Sequence, residues 1–415
     1  MADPETEPEP TGSSLTAALR PAWVEVDLDA LAANLAALRR RIAPARVMAV
    51  LKADAYGHGA ARVGQLLEAQ GVEWIAVALL EEGAELRRAG VSCPILVLGT
   101  AQPSQLPLYR RYGLTPTVSS LDQLDLWSAA RTARGRRQPL HLKVDTGMNR
   151  LGLSLDELPT AFDRLRADRT LRLTGLMTHF AEADQPGSLR NDAQEQAFER
   201  VLGHLTGDER VRLEIHLANS AAGLHRPSTR RDLVRFGLSL FGLDPAHRTA
   251  RELEPVMSVV TRVVQVRTVP AGGAVGYGGR WRAERPCRIG VVPVGYADGY
   301  AWRLTDGISR DPGATALLPT SGGKVHRVPV VGSVTMDMSM IDLTDTDAAL
   351  GDEVVLLGRR GDQAITAWDL ADAAGTIPWE LLCLLGLRMP RRYRSRGRCE
   401  ELSARFSGSR GQGLW

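Results

Sequence analysis

The chain has 415 residues, with 51 basic and 48 acidic side chains and a formal net charge of +3 at pH 7. This near balance argues against a nucleic-acid or membrane-surface partner, and no apolar run reaches the roughly 18 residues of a membrane-spanning helix. With 44% apolar and 24% charged residues, the composition is that of a globular protein large enough for two or three domains.

The first twenty residues are acidic and proline-rich, and they lack the basic and then apolar pattern of a signal peptide. We therefore expect residues 1–20 to form a disordered tail and the protein to be cytoplasmic. The cysteines are scattered without the spacing of a metal site, so we expect reduced thiols and no bound metal. They are Cys93, Cys287, Cys383 and Cys399.

Short apolar runs alternate with amphipathic stretches between residues 27 and 243. The predicted strands are Val47–Lys52, Trp74–Leu79, Ile95–Gly99, Thr115–Val118, Leu140–Asp145, Leu173–His179, Leu213–Asn219 and Val234–Leu240. The predicted helices include Asp29–Ile42, Ala60–Gln70, Glu81–Ala89, Leu121–Arg134 and Asn191–Leu205. This alternation predicts a (β/α)8 TIM-type barrel for residues 21–255. An open doubly wound sheet is the alternative, but no GxGxxG motif follows the first strand, which weakens a dinucleotide-binding interpretation.

After Pro255 the pattern changes to β-branched runs separated by turn residues, which predicts a mostly β domain over residues 256–392. Its runs are Val256–Val269, Ile289–Val294, Val328–Met340 and Glu353–Gly358, with helical patterns at Ala367–Ala374 and Ile377–Leu385. The early run Trp23–Asp27 is a candidate to pair with this domain rather than with the barrel. Residues 393–415, arginine-rich and then rich in glycine and serine, are expected to form a flexible tail.

Only three of the basic residues are lysine: Lys52, Lys143 and Lys324. Where arginine is the default cation, a retained lysine points to chemistry that arginine cannot perform. A lysine amine can lose its proton and attack a carbonyl, whereas arginine stays protonated. Two of the three lie on predicted barrel strands, and Lys52 lies at a strand end, where such barrels carry their reactive groups.

Polar residues at other strand ends suggest a partner for Lys52. The loops after strands seven and eight, a common phosphate position in such barrels, offer Asn219, Ser220, Gly237 and Leu238. Pyridoxal 5'-phosphate carries an aldehyde for a Schiff-base lysine and a phosphate for these loops. The alternative for Lys52 is a structural lysine at the barrel rim.

Arg235 and His179 lie on the same predicted barrel end as Lys52. Arg235 is either a salt-bridge partner or a donor to the cofactor's ring nitrogen. Since an arginine cannot hand over its proton, such a donor limits the ring as an electron sink and favours a short-lived carbanion. His179 alone is more typical of a satisfied core histidine, so its position beside the other groups is what makes it a candidate.

Eight ordered motifs between residues 22 and 392 resemble those of alanine racemases. They are VLKADAYGHG (50–59), LKVDTGMNRLG (142–152), THFAEAD (178–184), HLANSAA (216–222), RFGLSLFGL (235–243), VGYGG (275–279), VGYADG (294–299) and VTMDM (334–338). The resemblance implies a barrel plus β domain, with two subunits packed head to tail. Each active site is then completed by the β domain of the partner.

The resemblance also implies residue roles. Lys52 would hold pyridoxal phosphate as an aldimine and act as a base on one face of the substrate's α-carbon, with Tyr277 of the partner subunit as the base on the other. A relay from Tyr277 would run through His179 to Arg235. The remaining contacts would come from Arg150 to the phenolic oxygen, from Tyr56, Ser220, Gly237 and Leu238 to the phosphate, and from Arg150, Tyr296, Met336 and Asp337 near the substrate. Lys143 is an expected N6-carboxylysine that orients Arg150, or else an ordinary lysine paired with Asp145.

The implied activity is interconversion of L- and D-alanine, which supplies D-alanine for peptidoglycan. Several positions depart from the family pattern: Leu387 replaces a frequent tyrosine, Trp302 and Ser333 replace arginines of some members, and Asn149 replaces a glycine. A racemase of broader specificity, for serine or basic amino acids, therefore stays open. A pyridoxal phosphate-dependent decarboxylase and a non-catalytic cofactor-binding protein are further alternatives.

Overall fold

The computed structural model describes residues 20–130, 137–246, 252–311, 313–320, 322–386 and 388–403. Its contacts divide the chain into two compact units. The barrel unit is Leu28–Val256, and the β unit combines the residues before Leu28 with those after Val256. In the described ranges, no helix is both long enough and apolar enough to cross a membrane.

Eight parallel strands form the sheet of the barrel unit, paired in chain order from β2 to β8, with β9 beside β2. They are β2 Arg46–Val50, β3 Trp74–Val77, β4 Ile95–Val97, β5 Leu114–Val118, β6 Gln138–Lys143, β7 Leu171–Met177, β8 Glu214–His216 and β9 Leu233–Phe236. Backbone N–H groups of Asp232 and Arg235 donate to the carbonyls of Ile215 and Ala218, which joins the β8 and β9 segments. The predicted (β/α)8 barrel is therefore confirmed.

Helices alternate with these strands: α1 Leu28–Ile42, α2 Ala60–Ala69, α3 Leu80–Arg88, α4 Leu106–Arg111, α5 Leu121–Ala129, α6 Leu158–Ala167, α7 Leu189–Leu202, α8 Gly207–Arg212 and α9 Ser220–His225. Helix α1 illustrates why they form, because it buries Leu31, Leu35, Leu38 and Ile42 at helical spacing. The predicted helix Leu121–Arg134 ends at Ala129, and its residues 131–134 lie outside the described part of the chain.

The β unit contains an eleven-stranded sheet of order β11-β14-β17-β16-β15-β18-β10-β1-β20-β21, with β19 paired to β18. Its strands are β1 Ala22–Asp27, β10 Met257–Arg262, β11 Gln265–Val269, β14 Cys287–Val292, β15 Thr315–Pro319, β16 Val325–Val331, β17 Ser339–Asp342, β18 Glu353–Arg360, β19 Gln363–Ile365, β20 Arg391–Ser395 and β21 Arg398–Ser403. A hairpin of β12 Ala274–Val275 and β13 Trp281–Arg282 and the helices α10 Ala367–Ala374 and α11 Pro378–Leu384 complete it. The predicted mostly β domain is confirmed.

Three boundaries differ from expectation. Strand β1 pairs antiparallel with β10 and parallel with β20, as predicted for the run Trp23–Asp27, so the barrel unit begins at Leu28 rather than at residue 21. Residue 20, assigned to the N-terminal tail, donates hydrogen bonds from its guanidinium to the buried carboxylate of Asp298. Residues 393–403, assigned to the C-terminal tail, belong to the hairpin of β20 and β21, which adds backbone hydrogen bonds to the sheet edge beside β1. The remaining tail residues, 1–19 and 404–415, lie outside the described ranges.

Candidate active site

Lys52 lies two residues beyond β2 and begins an unusual turn. The next four residues, Ala53–Tyr56, all have positive φ, between 52° and 55°. A left-handed conformation costs a residue other than glycine about 1–2 kcal/mol, so the surroundings must hold it. The Ala53 N–H donates to the Glu82 carboxylate at 2.6 Å, and the Ala60 N–H donates to the Asp54 carboxylate at 2.7 Å. These bonds fix the backbone that carries Lys52.

Arg235 is a buried cation whose hydrogen-bond partners are all neutral. Its guanidinium donates to the backbone carbonyls of Thr178, His216 and Leu217 at 2.8–3.0 Å. It also lies 3.0 Å from His179 Nδ1 and 3.1 Å from His216 Nδ1. Burial lowers the pKa of Arg235 to about 9. None of these partners is a carboxylate, so they do not support the alternative in which Arg235 is a salt-bridge residue.

His179 is brought together with four basic residues. Burial and then the charges of Arg235, Lys143, Arg150 and Lys52 hold its pKa well below the usual value. His179 is therefore neutral at pH 7, and because arginine only donates, its Nδ1 is the acceptor and Nε2 carries the proton. The barrel end thus gathers positive charge around a neutral imidazole.

Lys143 is the last residue of β6 and is buried. Burial and then the charges of Arg150 and Arg235 lower its pKa to about 8, against the opposing effect of Asp145. The Asp145 carboxylate accepts hydrogen bonds from the Gly147 and Met148 N–H groups, which organises the loop that leads to Arg150. In this loop Asn149 has φ of +54°, a conformation that asparagine tolerates better than most residues and glycine adopts readily.

The predicted phosphate-binding residues form a compact group. The Ser220 hydroxyl accepts hydrogen bonds from the N–H of Gly237 at 3.1 Å and of Ser239 at 3.5 Å. The Tyr56 hydroxyl lies against Gly237, where a β-carbon would overlap it. Leu238 follows directly and is buried. The Asn219 side chain caps α9 by accepting from the Ala222 N–H at 3.1 Å, so its observed role is structural.

The remaining predicted residues belong to the β unit, where they are exposed. Tyr277 is 77% exposed, and its carbonyl accepts a hydrogen bond from the Ser333 hydroxyl at 2.7 Å. The Tyr296 N–H donates to the Thr335 carbonyl at 3.0 Å, next to the exposed Met336. These bonds bring the Tyr277, Tyr296 and Met336 segments to the same region of the β unit.

Asp337 and the departures from the family pattern lie in the same unit. The Asp337 carboxylate accepts from Arg388 at 2.9 Å, and Arg388 also donates to the buried Asp298. Trp302 is half exposed. Ser333 is buried, and its hydroxyl donates a hydrogen bond to the Tyr277 carbonyl. Leu387 lies outside the described residues.

Two residues that support the site were not singled out from the sequence. Glu82 holds the turn after Lys52, and His141 contacts His216. His141 precedes Lys143 by two residues on β6, so strand periodicity places both side chains on the same face. This two-residue spacing could have identified His141 from the sequence. Glu82 contacts the backbone of a residue 29 positions away, and no sequence pattern points to that contact.

The residues present suit pyridoxal phosphate. Lys52 offers an amine, the Ser220 and Tyr56 hydroxyls beside Gly237 offer phosphate donors, and Arg235 offers a donor for a ring nitrogen. The Tyr56 side chain leaves no room for a side chain at position 237, so glycine there allows the Tyr56 hydroxyl to approach the backbone next to Ser220. The positive charge of the basic residues around His179 also favours an anionic ligand.

Comparison with known proteins agrees with this chemistry. The chain matches the model of the alanine racemase N-terminal domain over residues 26–245 and that of the C-terminal domain over residues 256–393. An alanine racemase of Synechocystis sp. is 38% identical over 375 residues, which are 89% of this chain and 98% of that protein.

Solved structures are similar over nearly the same length. The alanine racemase of Clostridium difficile 630 has a TM-score of 0.84 at 30% identity, covering 93% of this chain and 99% of that one. The alanine racemase of Bartonella henselae, solved with covalently bound pyridoxal phosphate, has a TM-score of 0.79 at 29% identity, covering 91% and 100%. The chain therefore belongs to the alanine racemase family, whose members are isomerases that depend on pyridoxal phosphate.

Proposed function

We propose that this protein interconverts L- and D-alanine, with Lys52 and Tyr277 as bases on opposite faces of the substrate's α-carbon, and supplies D-alanine for peptidoglycan. The observation that carries the proposal is the buried Arg235, whose partners are all neutral. A cation that keeps its proton favours a short-lived carbanion, which suits racemisation better than decarboxylation.

Pyridoxal phosphate bound at this barrel end supplies an electron sink for the negative charge that develops at the α-carbon. Lys52 would hold it covalently, and Tyr56, Ser220, Gly237 and Leu238 would contact its phosphate, while Asn219 caps the helix that begins at Ser220. Arg235 would donate to its ring nitrogen and Arg150 to its phenolic oxygen. Arg150, Tyr296, Met336 and Asp337 would lie near the substrate.

Inversion of a carbon centre requires removal of a proton from one face and its return from the other. Tyr277 Oη removes the proton of the L isomer, and Lys52 Nζ delivers a proton to the opposite face. With a reference pKa of about 10, tyrosine is a weak base at pH 7 and needs a donor that stabilises its anion. Neutral His179 offers such a donor, because Arg235 occupies Nδ1 and leaves the proton on Nε2.

The exposure of Tyr277, Tyr296 and Met336 supports a homodimer in which the β unit of one subunit completes the site of its partner. A shared site predicts complementation between two inactive chains. A mixed dimer of Lys52→Arg and Tyr277→Phe chains contains one site with both native bases. Mixing equal amounts, with subunit exchange, should restore about one quarter of the native activity. Activity that stays at the level of the separate variants would show that each site uses both bases of a single chain.

We also propose that Lys143 is carboxylated on Nζ and that the resulting anion orients Arg150. Carbon dioxide forms a C–N bond with the neutral amine, which releases one N–H proton to solvent, and the pKa of about 8 leaves part of the amine neutral near pH 7. The neutral fraction falls as the pH drops below 8. At constant carbon dioxide pressure, a carbamate signal in the carbon-13 spectrum should therefore be strong at pH 9 and weak at pH 6. The same spectrum of Lys143→Arg is the control, and an unmodified intact mass at pH 9 would contradict the proposal.

A racemisation assay with alanine, serine, lysine and arginine tests the reaction and its breadth together. Alanine should be the preferred substrate, and comparable rates for larger side chains would favour the broad-specificity alternative. The departures from the family pattern that bear on this choice are Leu387, Trp302 and Ser333. Carbon dioxide release from a diamino acid would favour a decarboxylase, and cofactor binding without any turnover would favour a binding protein.

A further inference from the structure

A chain of hydrogen bonds leads from Arg235 to two buried histidines that the proposed reaction does not use. Arg235 Nη1 lies 3.1 Å from His216 Nδ1, and His216 Nε2 lies 2.9 Å from His141 Nδ1. His216 ends β8 and His141 lies on β6, and both have 0% solvent exposure. Both rings are therefore shielded from solvent.

The direction of each hydrogen bond follows from the chemistry of the donor. A guanidinium only donates, so His216 Nδ1 must be an acceptor. A neutral His216 then carries its proton on Nε2 and donates it to His141 Nδ1. His141 in turn carries its proton on Nε2. All bonds thus run in one direction, from Arg235 to His216 to His141.

The surroundings keep both rings neutral and in place. Burial and then the charge of Arg235 lower the pKa of His141 to about 3. Burial, His141 and Arg235 likewise hold the pKa of His216 well below its usual value. Strand β7 makes room for the ring with Gly175, since a β-carbon there would lie 2.5 Å from His141 Nδ1. Any side chain at position 175 would therefore overlap the His141 ring.

A histidine at position 141 is not what stability alone would select. Its Nε2 atom is buried and has no hydrogen-bond partner within the described residues. A buried polar group without a partner is costly, and an apolar side chain would avoid that cost. The other end of the ring, Nδ1, is the part with a defined contact. Because Nε2 has no partner and Nδ1 accepts from His216, we infer that acceptance of this hydrogen bond is the role of His141.

We propose that His141 is a positioning residue that holds His216 in its Nε2–H tautomer, so that His216 Nδ1 accepts from Arg235 and fixes the guanidinium. Arg235 favours the same tautomer from the other side of the ring, but without an acceptor at position 141 the buried Nε2–H of His216 would lose its hydrogen-bond partner. Movement of the proton to Nδ1 avoids that cost and breaks the contact with Arg235 Nη1. The consequence for the cofactor rests on the proposed function of Arg235. The predicted tautomer of His216 does not depend on that proposed function. An experiment can therefore refute the tautomer without refuting the proposed function, and the reverse.

Nitrogen-15 spectra of the histidine-labelled, full-length protein, recorded without substrate, test this proposal. The variants are His141→Phe and His141→Leu, which remove the acceptor, and His141→Asn, whose amide oxygen can replace Nδ1. The His216 signals are assigned by their loss in His216→Asn. We expect the native protein and His141→Asn to show only the Nε2–H tautomer, and the apolar variants to shift more than half of His216 to Nδ1–H. His225, paired with Asp244 at 2.7 Å, is the internal control and should not change.

The kinetic readout separates positioning from general destabilisation. The apolar variants should lower kcat for both alanine isomers by about tenfold or more, as expected when a charged group is misplaced, with His141→Asn within about threefold of native. If only one apolar variant folds, that variant is sufficient for the comparison. An unchanged His216 tautomer in a folded apolar variant overturns the proposal, whatever the racemisation assay shows.

Discussion

Lys52→Arg should abolish the visible absorbance that accompanies bound cofactor and should lower racemisation by more than about 10⁴-fold. The substitution keeps the positive charge at the end of β2 but replaces an amine that can attack an aldehyde with a guanidinium that cannot. Both the covalent attachment and one of the two proposed bases are lost together. The absorption spectrum of the purified protein, recorded next to a racemisation assay, measures both effects.

The chain provides a matched control for this substitution. Lys324, the third lysine, is exposed in a turn of the β unit, and Lys324→Arg makes the same chemical change there. We expect Lys324→Arg to retain both absorbance and activity. A Lys52→Arg protein with native colour and native activity would remove the basis for the proposed mechanism.

Tyr277→Phe should slow exchange of the α-proton of L-alanine with heavy water by about 10²–10⁴-fold, the usual contribution of a general base. Exchange from D-alanine should be affected much less, because Lys52 removes the proton from that isomer. The physical reason is that each base reaches only one face of the α-carbon. Proton nuclear magnetic resonance of each isomer, incubated separately with the variant, gives the two rates.

Tyr112→Phe is the control for Tyr277→Phe, because it removes a tyrosine hydroxyl that accepts a hydrogen bond from Arg88 in the barrel unit. Both exchange rates should stay at the native level in this variant. Equal slowing of both isomers in Tyr277→Phe would argue against the assignment of one base to each face.

Much of the site could be predicted from short motifs because strand ends in a parallel barrel meet at one end. Lys52, Lys143, His179 and Arg235 were identified in this way, and the structure brings them into one electrostatic environment. Ser220 and Gly237 were identified similarly and are joined by a hydrogen bond. The roles assigned to the β-unit residues came from the resemblance alone, and they stay predictions for the complementation and exchange experiments.

Other features were set by contacts between distant segments. The left-handed turn after Lys52 depends on Glu82, and the run from Arg235 to His141 joins three different strands. Strand β1 joins the β unit because it pairs with β10 and β20, both more than two hundred residues away. Periodicity cannot specify such pairings, because it reports only which face of an element is apolar.

The sequence by itself therefore determined the elements, the two kinds of architecture and the lysines whose chemistry arginine cannot replace. These follow from apolar spacing along one segment and from the reactivity of single side chains. Only the tertiary structure decided the unit to which residues 22–27 belong, the backbone conformation that carries Lys52 and the neutral partners of Arg235. Each of these depends on which groups meet when separate strands and loops pack, and burial there determines both hydrogen-bond direction and charge.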